Sequence, residues 1–407
     1  MKCRICSTTL KSKLIDLGKH PLSNDYLTLD YLQINQNKYP LVVWVCESCW
    51  LVQAEEHASR DIIFKDDYSY FSSTSKSWLE HCEKYTNKIV ERFNLNKSSF
   101  VIEVASNDGY LLQYFQKKGI KCLGIEPTAN TAAVARERGI ETIVEFFGQE
   151  VALKLLNQLE QPKLIICNNV LAHVPSLIDF VKGLKTLLDD EGVISVEVPS
   201  LSNLISGKQF DTIYHEHFSY FSIISLSKLF KINELRIFDV EEIKSHGGSY
   251  RVFVCHDSAS HKLSKNVKNV RDRETHLGLN KITFYKNFQY EAEKIKDQFK
   301  NFLIDAKNSK QKVAAYGAAA KGNTLINFAD VGPDLIEFVC DAAPSKQGKF
   351  LPGSKIPIVS PKLLKDTELD YLVILPWNLA EELKVQLSYL VKRGTKLVTF
   401  IPSFKVL

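Results

Sequence analysis

Residues 214–222 read Tyr-His-Glu-His-Phe-Ser-Tyr-Phe-Ser, which puts two histidines, a carboxylate, two phenols and two hydroxyls into one short segment. It follows the apolar run 193–198 and Pro199. Buried polar groups at this density are costly, because each needs its own partner. One reading is a polar loop with satisfied histidines. A zinc-protease motif is excluded, because it sets its histidines one helical turn apart, whereas His215 and His217 are only two apart. The other reading is general acid–base chemistry, with a His or Tyr moving a proton and Glu216 orienting it.

A second set of chemical residues lies near the start. Cys3-x-x-Cys6 and Cys46-x-x-Cys49 are two thiolate pairs, the spacing of a four-sulfur zinc site. Such a site leaves no coordination position for a substrate, so the metal is expected to be structural. No run of Lys and Arg accompanies it, which argues against nucleic acid. Residues 66–75, rich in hydroxyls and aromatics, read either as a surface loop or as a lid whose phenols, Tyr68 and Tyr70, reach a neighbouring site.

The chain has 407 residues and a formal net charge of +5. That length predicts two or three domains, and the charge is too small to indicate nucleic acid. No segment has the roughly 18 to 20 unbroken apolar residues of a membrane span. The N-terminus lacks a signal-peptide pattern, so a cytoplasmic protein without a membrane partner is expected. Nine cysteines in that compartment do not suggest a disulfide framework.

The elements that must position these groups alternate between strand and helix. A helix is predicted over 77–93 and a strand over 99–104. The strand ends in Glu103-Val104-Ala105-Ser106-Asn107-Asp108-Gly109, ahead of a helix over 110–118. A strand, a small-residue turn and a helix make a nucleotide-binding corner at the carboxyl end of a parallel sheet. The dinucleotide fingerprint GxGxxG is missing, which argues against a nicotinamide oxidoreductase; an adenosyl sulfonium has no pyrophosphate and needs less room. The next predicted strands are 121–125, ending at Glu126-Pro127, and 141–144, ending at Glu145-Phe146-Phe147. Then come 163–167, ending at Asn168-Asn169 with Leu171 and His173 behind, and 193–198. Glu126 suits two ribose hydroxyls, and the aromatic pair suits adenine. Helix is expected over 262–309, and Gly247-Gly248 is expected to turn a hairpin.

Beyond residue 298 a second Rossmann-like half is predicted, with strands over 312–316, 336–340 and 371–375. Its first turn, Gly317-Ala318-Ala319-Ala320-Lys321-Gly322-Asn323-Thr324, feeds a helix N-terminus. It suits either tight strand–helix packing or phosphate binding through backbone N–H groups and one cation.

The paired CxxC knuckles, VASNDGYLL, GIEP, EFFG, NNVLAHV, YHEHFSYFS, SHGGSYRVF and YGAAAKGNT span almost the whole chain. In this order they resemble the class I S-adenosylmethionine methyltransferases that C-methylate nucleotide-linked 4-keto-6-deoxy sugars. Val104-Ala105 departs from the Ile-Gly common there. The resemblance implies an α/β protein with a small four-cysteine zinc module (1–75), a central methyltransferase domain of Rossmann type (76–297) and a C-terminal Rossmann-like domain (298–407). It implies 3-C-methylation of a dTDP- or GDP-linked sugar, with a structural Zn²⁺.

For the base the resemblance and the chemistry together point to His217, with Tyr214 as the rival; Glu216 would orient or tune the base, and His173 would lie near the ketone oxygen or methyl donor. S-adenosylmethionine would be held by Glu103, Ser106, Asn107, Asp108, Gly109, Glu126, Pro127, Glu145, Phe146, Phe147, Asn168 and Leu171. The nucleotide-sugar would meet Tyr68, Tyr70, Asn169, His215, Ser219, Tyr220, His246 and Gly247. Tyr316, Gly317, Ala318, Lys321, Asn323 and Thr324 of the last domain would hold its diphosphate side. A monomer is expected. An O- or N-methyltransferase, or a zinc-containing binding protein without activity, are the alternatives.

Overall fold

A computed structural model describes residues 1–63 and 71–407, and it contains three sheets. The central sheet has seven strands. From one edge they run Leu235–Ile243, Ser249–His256, Val193–Pro199, Leu164–Asn168, Phe100–Val104, Lys121–Ile125 and Thr142–Ile143. The last five are mutually parallel and the first two pair antiparallel. Phe100–Val104 and Leu164–Asn168 are buried at every residue, as central strands covered by helices on both faces must be. From Phe100–Val104 the chain winds outward to Thr142–Ile143, then returns to the other side of its starting strand at Leu164–Asn168. The gap beyond the carboxyl ends of those two strands is the topological switch point, where such sheets bind ligands.

The observed elements differ in detail from the sequence expectation. The helix after the first turn is Leu112–Lys117, because Gly109 still has the left-handed φ of 74° that ends the turn. The helical stretch over 262–309 is interrupted. Lys265–Leu277 is capped by Gly278 at φ 92°, a common helix stop, and the chain resumes as Phe288–Asn308. The expected hairpin around Gly247-Gly248 is present.

The N-terminal sheet comprises Ser12–His20, Tyr39–Val45, Val52–Ala54 and, from the middle of the chain, Ser219–Tyr220. Val52 pairs with Tyr220 and Gln53 with Ser219. The second cysteine knuckle forms the turn between Tyr39–Val45 and Val52–Ala54, so the metal-binding corner directly supports the strand beside the polar segment. Arg4 adds a clamp, donating to the carbonyls of Ala54 (2.8 Å) and Phe218 (3.0 Å).

The third sheet is Ile358–Val359, Val339–Cys340, Val313–Tyr316, Tyr371–Ile374, Lys396–Thr399 and Lys405–Val406. All neighbours are parallel except the last pair. Leu14 and Ile15 of the first strand share one apolar core with Phe299 and Leu303 of the long helix and with Val313 and Val398 of this sheet. Among the described residues no helix is long and apolar enough to cross a membrane.

Candidate functional site

A cavity of about 450 Å³ opens at the switch point, within the usual size of a small-molecule site. All three regions of the chain wall it. Asn24 comes from the N-terminal region, the strand-end turns from the central sheet, and Ala319, Lys321, Lys346 and Asn378 from the last sheet.

One half is built on the first turn. Ala105, Asn107 and Gly109 have φ of 55°, 48° and 74°, so the backbone curls back over the sheet. The Asn107 N–H then reaches Glu126 Oε2 at 2.8 Å, and the Thr128 N–H reaches Oε1 at 3.0 Å. The carboxylate is held rigidly, with lone pairs left for a ligand diol. Pro127, Glu145, Phe146, Phe147, Trp78 and Tyr110 surround it, and the Phe147 ring packs edge-on against Phe180 at 5.3 Å. Asn168 Oδ1 and both amide atoms of Asn169 are buried with no hydrogen-bond partner among the described residues. Buried polar atoms of that kind are normally satisfied, so donors and acceptors stand ready at the cavity wall. A rigid carboxylate, aromatic faces and waiting amides fit an adenosyl amino acid.

The other half holds all four expected catalytic side chains: Tyr214, Glu216, His217 and His173. His217 Nδ1 lies 2.7 Å from the Thr212 carbonyl, which fixes the proton there. Nε2 is therefore the basic atom, and the Tyr214 hydroxyl sits 2.8 Å from it. The His173 ring is 4.7 Å from that of His217 at an interplanar angle of 63°. Burial, with His173, Lys321 and His246 close by, holds His217 well below its ordinary value; burial likewise pulls His173 down to about 4. Glu216 is expected to orient or tune the base; its Oε1 accepts from Asn24 Nδ2 at 2.5 Å, and among the described residues the Thr212 carbonyl and the Tyr214 hydroxyl bond the His217 ring.

Ser219, Tyr220, Asn169, His246 and Lys321 also face the cavity. Other expected residues lie outside its lining. The His215 ring is within 3.2 Å of the Pro40 carbonyl and 3.3 Å of that of Tyr39, holding the first sheet. Asp108 pairs with Arg138 at 3.4 Å and accepts from Ser73, which ties the neighbouring loop to the turn. Glu103 is buried under the turn. Ser106 and Gly109 shape the turn, Leu171 is core, and Gly247 packs on Trp377. Thr324 donates to the Ile213 carbonyl at 3.0 Å, Asn323 accepts from Asn327 at 3.0 Å, and the Tyr316 hydroxyl accepts from Gln386 at 3.4 Å. Gly317 and Ala318 form the turn below. Tyr68 and Tyr70 lie outside the described residues.

Asn24, Trp78, Thr212, Lys346 and Asn378 were not anticipated. Each is isolated in sequence, without a motif, and only tertiary folding brings it to the cavity.

At the other end of the first sheet the sulfurs of Cys3, Cys6, Cys46 and Cys49 all lie within 4.8 Å of one another. Cys3 and Cys49 are 3.4 Å apart, and Cys6 and Cys46 are 3.5 Å apart. A tetrahedral zinc with bonds of about 2.3 Å sets its sulfurs about 3.8 Å apart, so the set fits. The Cys49 thiol bonded to the Cys3 sulfur favours the Cys3 thiolate, and the thiolate is the form that binds metal. The four cysteines are a structural zinc site.

Three family descriptions cover the chain in turn: a zinc binding domain at residues 3–64, a methyltransferase domain at 78–240 and a C-methyltransferase C-terminal domain at 244–402. The C-methyltransferase NovU of Streptomyces niveus is 33% identical over 406 residues, spanning 100% of this chain and 96% of its own. Among solved structures, magnesium protoporphyrin IX methyltransferase from Synechocystis, with bound SAM, is 13% identical over 43% of this chain and 77% of its own, at a TM-score of 0.33. A SAM-dependent methyltransferase from Anabaena variabilis is 13% identical over 44% of this chain and 86% of its own, at a TM-score of 0.37.

Proposed function

The chain belongs to the S-adenosylmethionine-dependent C-methyltransferase family, and on that premise we propose that it methylates C3 of a nucleotide-linked 4-keto-6-deoxy sugar. The observation that carries this reading is the tautomer of His217: with Nδ1–H committed to Thr212, Nε2 is left as a base bonded to the Tyr214 hydroxyl, and both residues line the cavity. Such a base would serve O- or N-methylation as well; similarity to a C-methyltransferase is what favours carbon.

The sugar's 4-keto group acidifies the C3 hydrogen. The proton ends on His217 Nε2, with the Tyr214 hydroxyl in its path. The C–H electron pair forms the C3=C4 bond, and the carbonyl pair moves to the C4 oxygen. His173, whose ring lies beside that of His217, would donate to that oxyanion. Asn107, Glu126 and Phe146 would hold S-adenosylmethionine, whose sulfonium would provide an electrophilic methyl for C3 and leave as S-adenosylhomocysteine, with the electron pair on the C4 oxygen re-forming the carbonyl. Lys321 and Lys346, which line the cavity, supply positive charge for the diphosphate. We assign the zinc module to residues 1–75, the methyl-donor domain to 76–297 and the diphosphate side to 298–407.

The product of dTDP-4-keto-6-deoxyglucose, or of its GDP-mannose-derived counterpart, with S-adenosylmethionine is expected to carry one new methyl on C3 by NMR. A methyl on oxygen or nitrogen sinks the proposal.

Glu126→Ala removes a charged acceptor from the diol, a contact of about 1.5–3 kcal/mol, so S-adenosylmethionine affinity should fall roughly 10- to 100-fold by calorimetry; unchanged affinity contradicts the cofactor assignment. The pH profile should also be flat through 6.5, the ordinary histidine value. A base works in its neutral form, so a lowered pKa moves the acid limb downward. A limb at 6.5 or above would remove His217 from the role.

A further inference from the structure

The turn Phe210–Thr212 sits between the last sheet and the base. Asp211 is 1% exposed and does not itself line the cavity. Its Oδ2 accepts from the Trp377 indole N–H at 2.7 Å, while Oδ1 has no partner among the described residues. Trp377 in turn carries the Lys321 ammonium 4.8 Å over its ring. Lys321 Nζ also reaches Asn378 Oδ1 at 3.2 Å and the His246 carbonyl at 3.5 Å. Asn378 and His246 hold it by neutral contacts; Asp211 is the acid whose field acts on it. Burial pulls the ammonium down, and Asp211 pushes back.

The indole has little freedom to drift. Gly247 has φ 89°, and a Cβ there would collide with the Trp377 ring. The Gly247 carbonyl is pinned by Gln209 Nε2 at 3.0 Å. The same turn carries the base, since the Thr212 carbonyl fixes His217 at 2.7 Å. The following carbonyl, of Ile213, takes the Thr324 hydroxyl at 3.0 Å, and Thr324 shares a helix with Lys321, Ala320–Phe328.

We propose that Asp211 is a positioning residue, which through Trp377 holds Lys321 as a cation aimed at the substrate's diphosphate and ties that contact to the orientation of His217. The proposal rests on reading Lys321 as the diphosphate contact. Through one short turn, occupancy of the diphosphate side stiffens the carbonyl that sets the basic atom. A carboxylate is needed in this place because an amide could accept from the indole but could not balance the ammonium.

The test is a double-mutant cycle on the full-length zinc protein. Asp211→Asn, Lys321→Gln and both together are titrated with dTDP and with GDP by calorimetry. For whichever nucleotide binds, each single change is expected to weaken affinity about 10-fold, with the double variant no worse than Lys321→Gln alone, while S-adenosylmethionine affinity stays at the wild-type value. Additive losses, or no loss with Asp211→Asn, overturn the proposal. Trp377→Phe serves if Asp211→Asn does not fold; it removes the N–H but keeps the ring, and should show the same non-additivity with Lys321→Gln. In turnover, Asp211→Asn should raise KM and lower kcat together, which a purely structural change that lowers the active fraction would not do. Wild-type protein that binds neither nucleotide overturns both this proposal and the diphosphate assignment beneath it; wild-type binding with an additive cycle overturns this proposal alone.

Discussion

His217→Asn lowers turnover roughly 10²- to 10⁴-fold, the usual contribution of a positioned general base, and leaves S-adenosylmethionine affinity unchanged. The asparagine amide can still donate toward the Thr212 carbonyl, so the fold keeps its contact while the basic Nε2 is lost. Tyr214→Phe removes the hydroxyl that is 2.8 Å from Nε2 and is expected to cost less, because the basic atom survives. Steady-state kinetics with calorimetry on the same preparations checks both. If His217→Asn kept more than about a tenth of wild-type turnover, another group would be the base.

Removing the metal has the other large effect, for a reason remote from the chemistry. The second knuckle turns the chain between Tyr39–Val45 and Val52–Ala54, and Val52 and Gln53 pair with Tyr220 and Ser219. Losing the zinc therefore loosens the strand that follows His217. Structural zinc supplies roughly 10–16 kcal/mol in small domains, far more than a marginally stable sheet can spare. Cys49→Ser, or prolonged chelation, is expected to remove stoichiometric zinc, lower the melting temperature and take turnover to background. S-adenosylmethionine should still bind, since its contacts lie on the central sheet. A zinc-free protein with full turnover would contradict this coupling.

The site was partly legible in sequence for identifiable reasons. Turns at the carboxyl ends of parallel strands are local, so strand–turn–helix order puts Asn107, Glu126 and Asn168 at strand ends, where all three line the cavity, while their roles there come from the resemblance. The cysteine knuckles were legible because metal geometry restricts their spacing. Spacing alone does not separate His215 from His217, and the resemblance that names His217 as the base puts His215 on the sugar; folding instead sends the His215 ring to the Tyr39 and Pro40 carbonyls, while His217 lines the cavity. Asp108 looked like a cofactor ligand because its pairing with Arg138 spans 30 residues and leaves no local trace. Thr212 was invisible for a simpler reason: it acts through its carbonyl, which every residue has. The joining of Ser219–Tyr220 to the first sheet was equally hidden, since pairing over such a separation depends on the whole fold.

The central claim is that a carbanion forms at C3 before the methyl arrives. Incubating the zinc-loaded enzyme in D₂O with dTDP-4-keto-6-deoxyglucose, or its GDP-linked counterpart, and S-adenosylhomocysteine in place of the donor isolates that step. Enzyme-dependent loss of the C3 proton signal by NMR, absent in His217→Asn, is the expected result. A C3 signal that persists while the same preparation turns over the sugar with S-adenosylmethionine would contradict it.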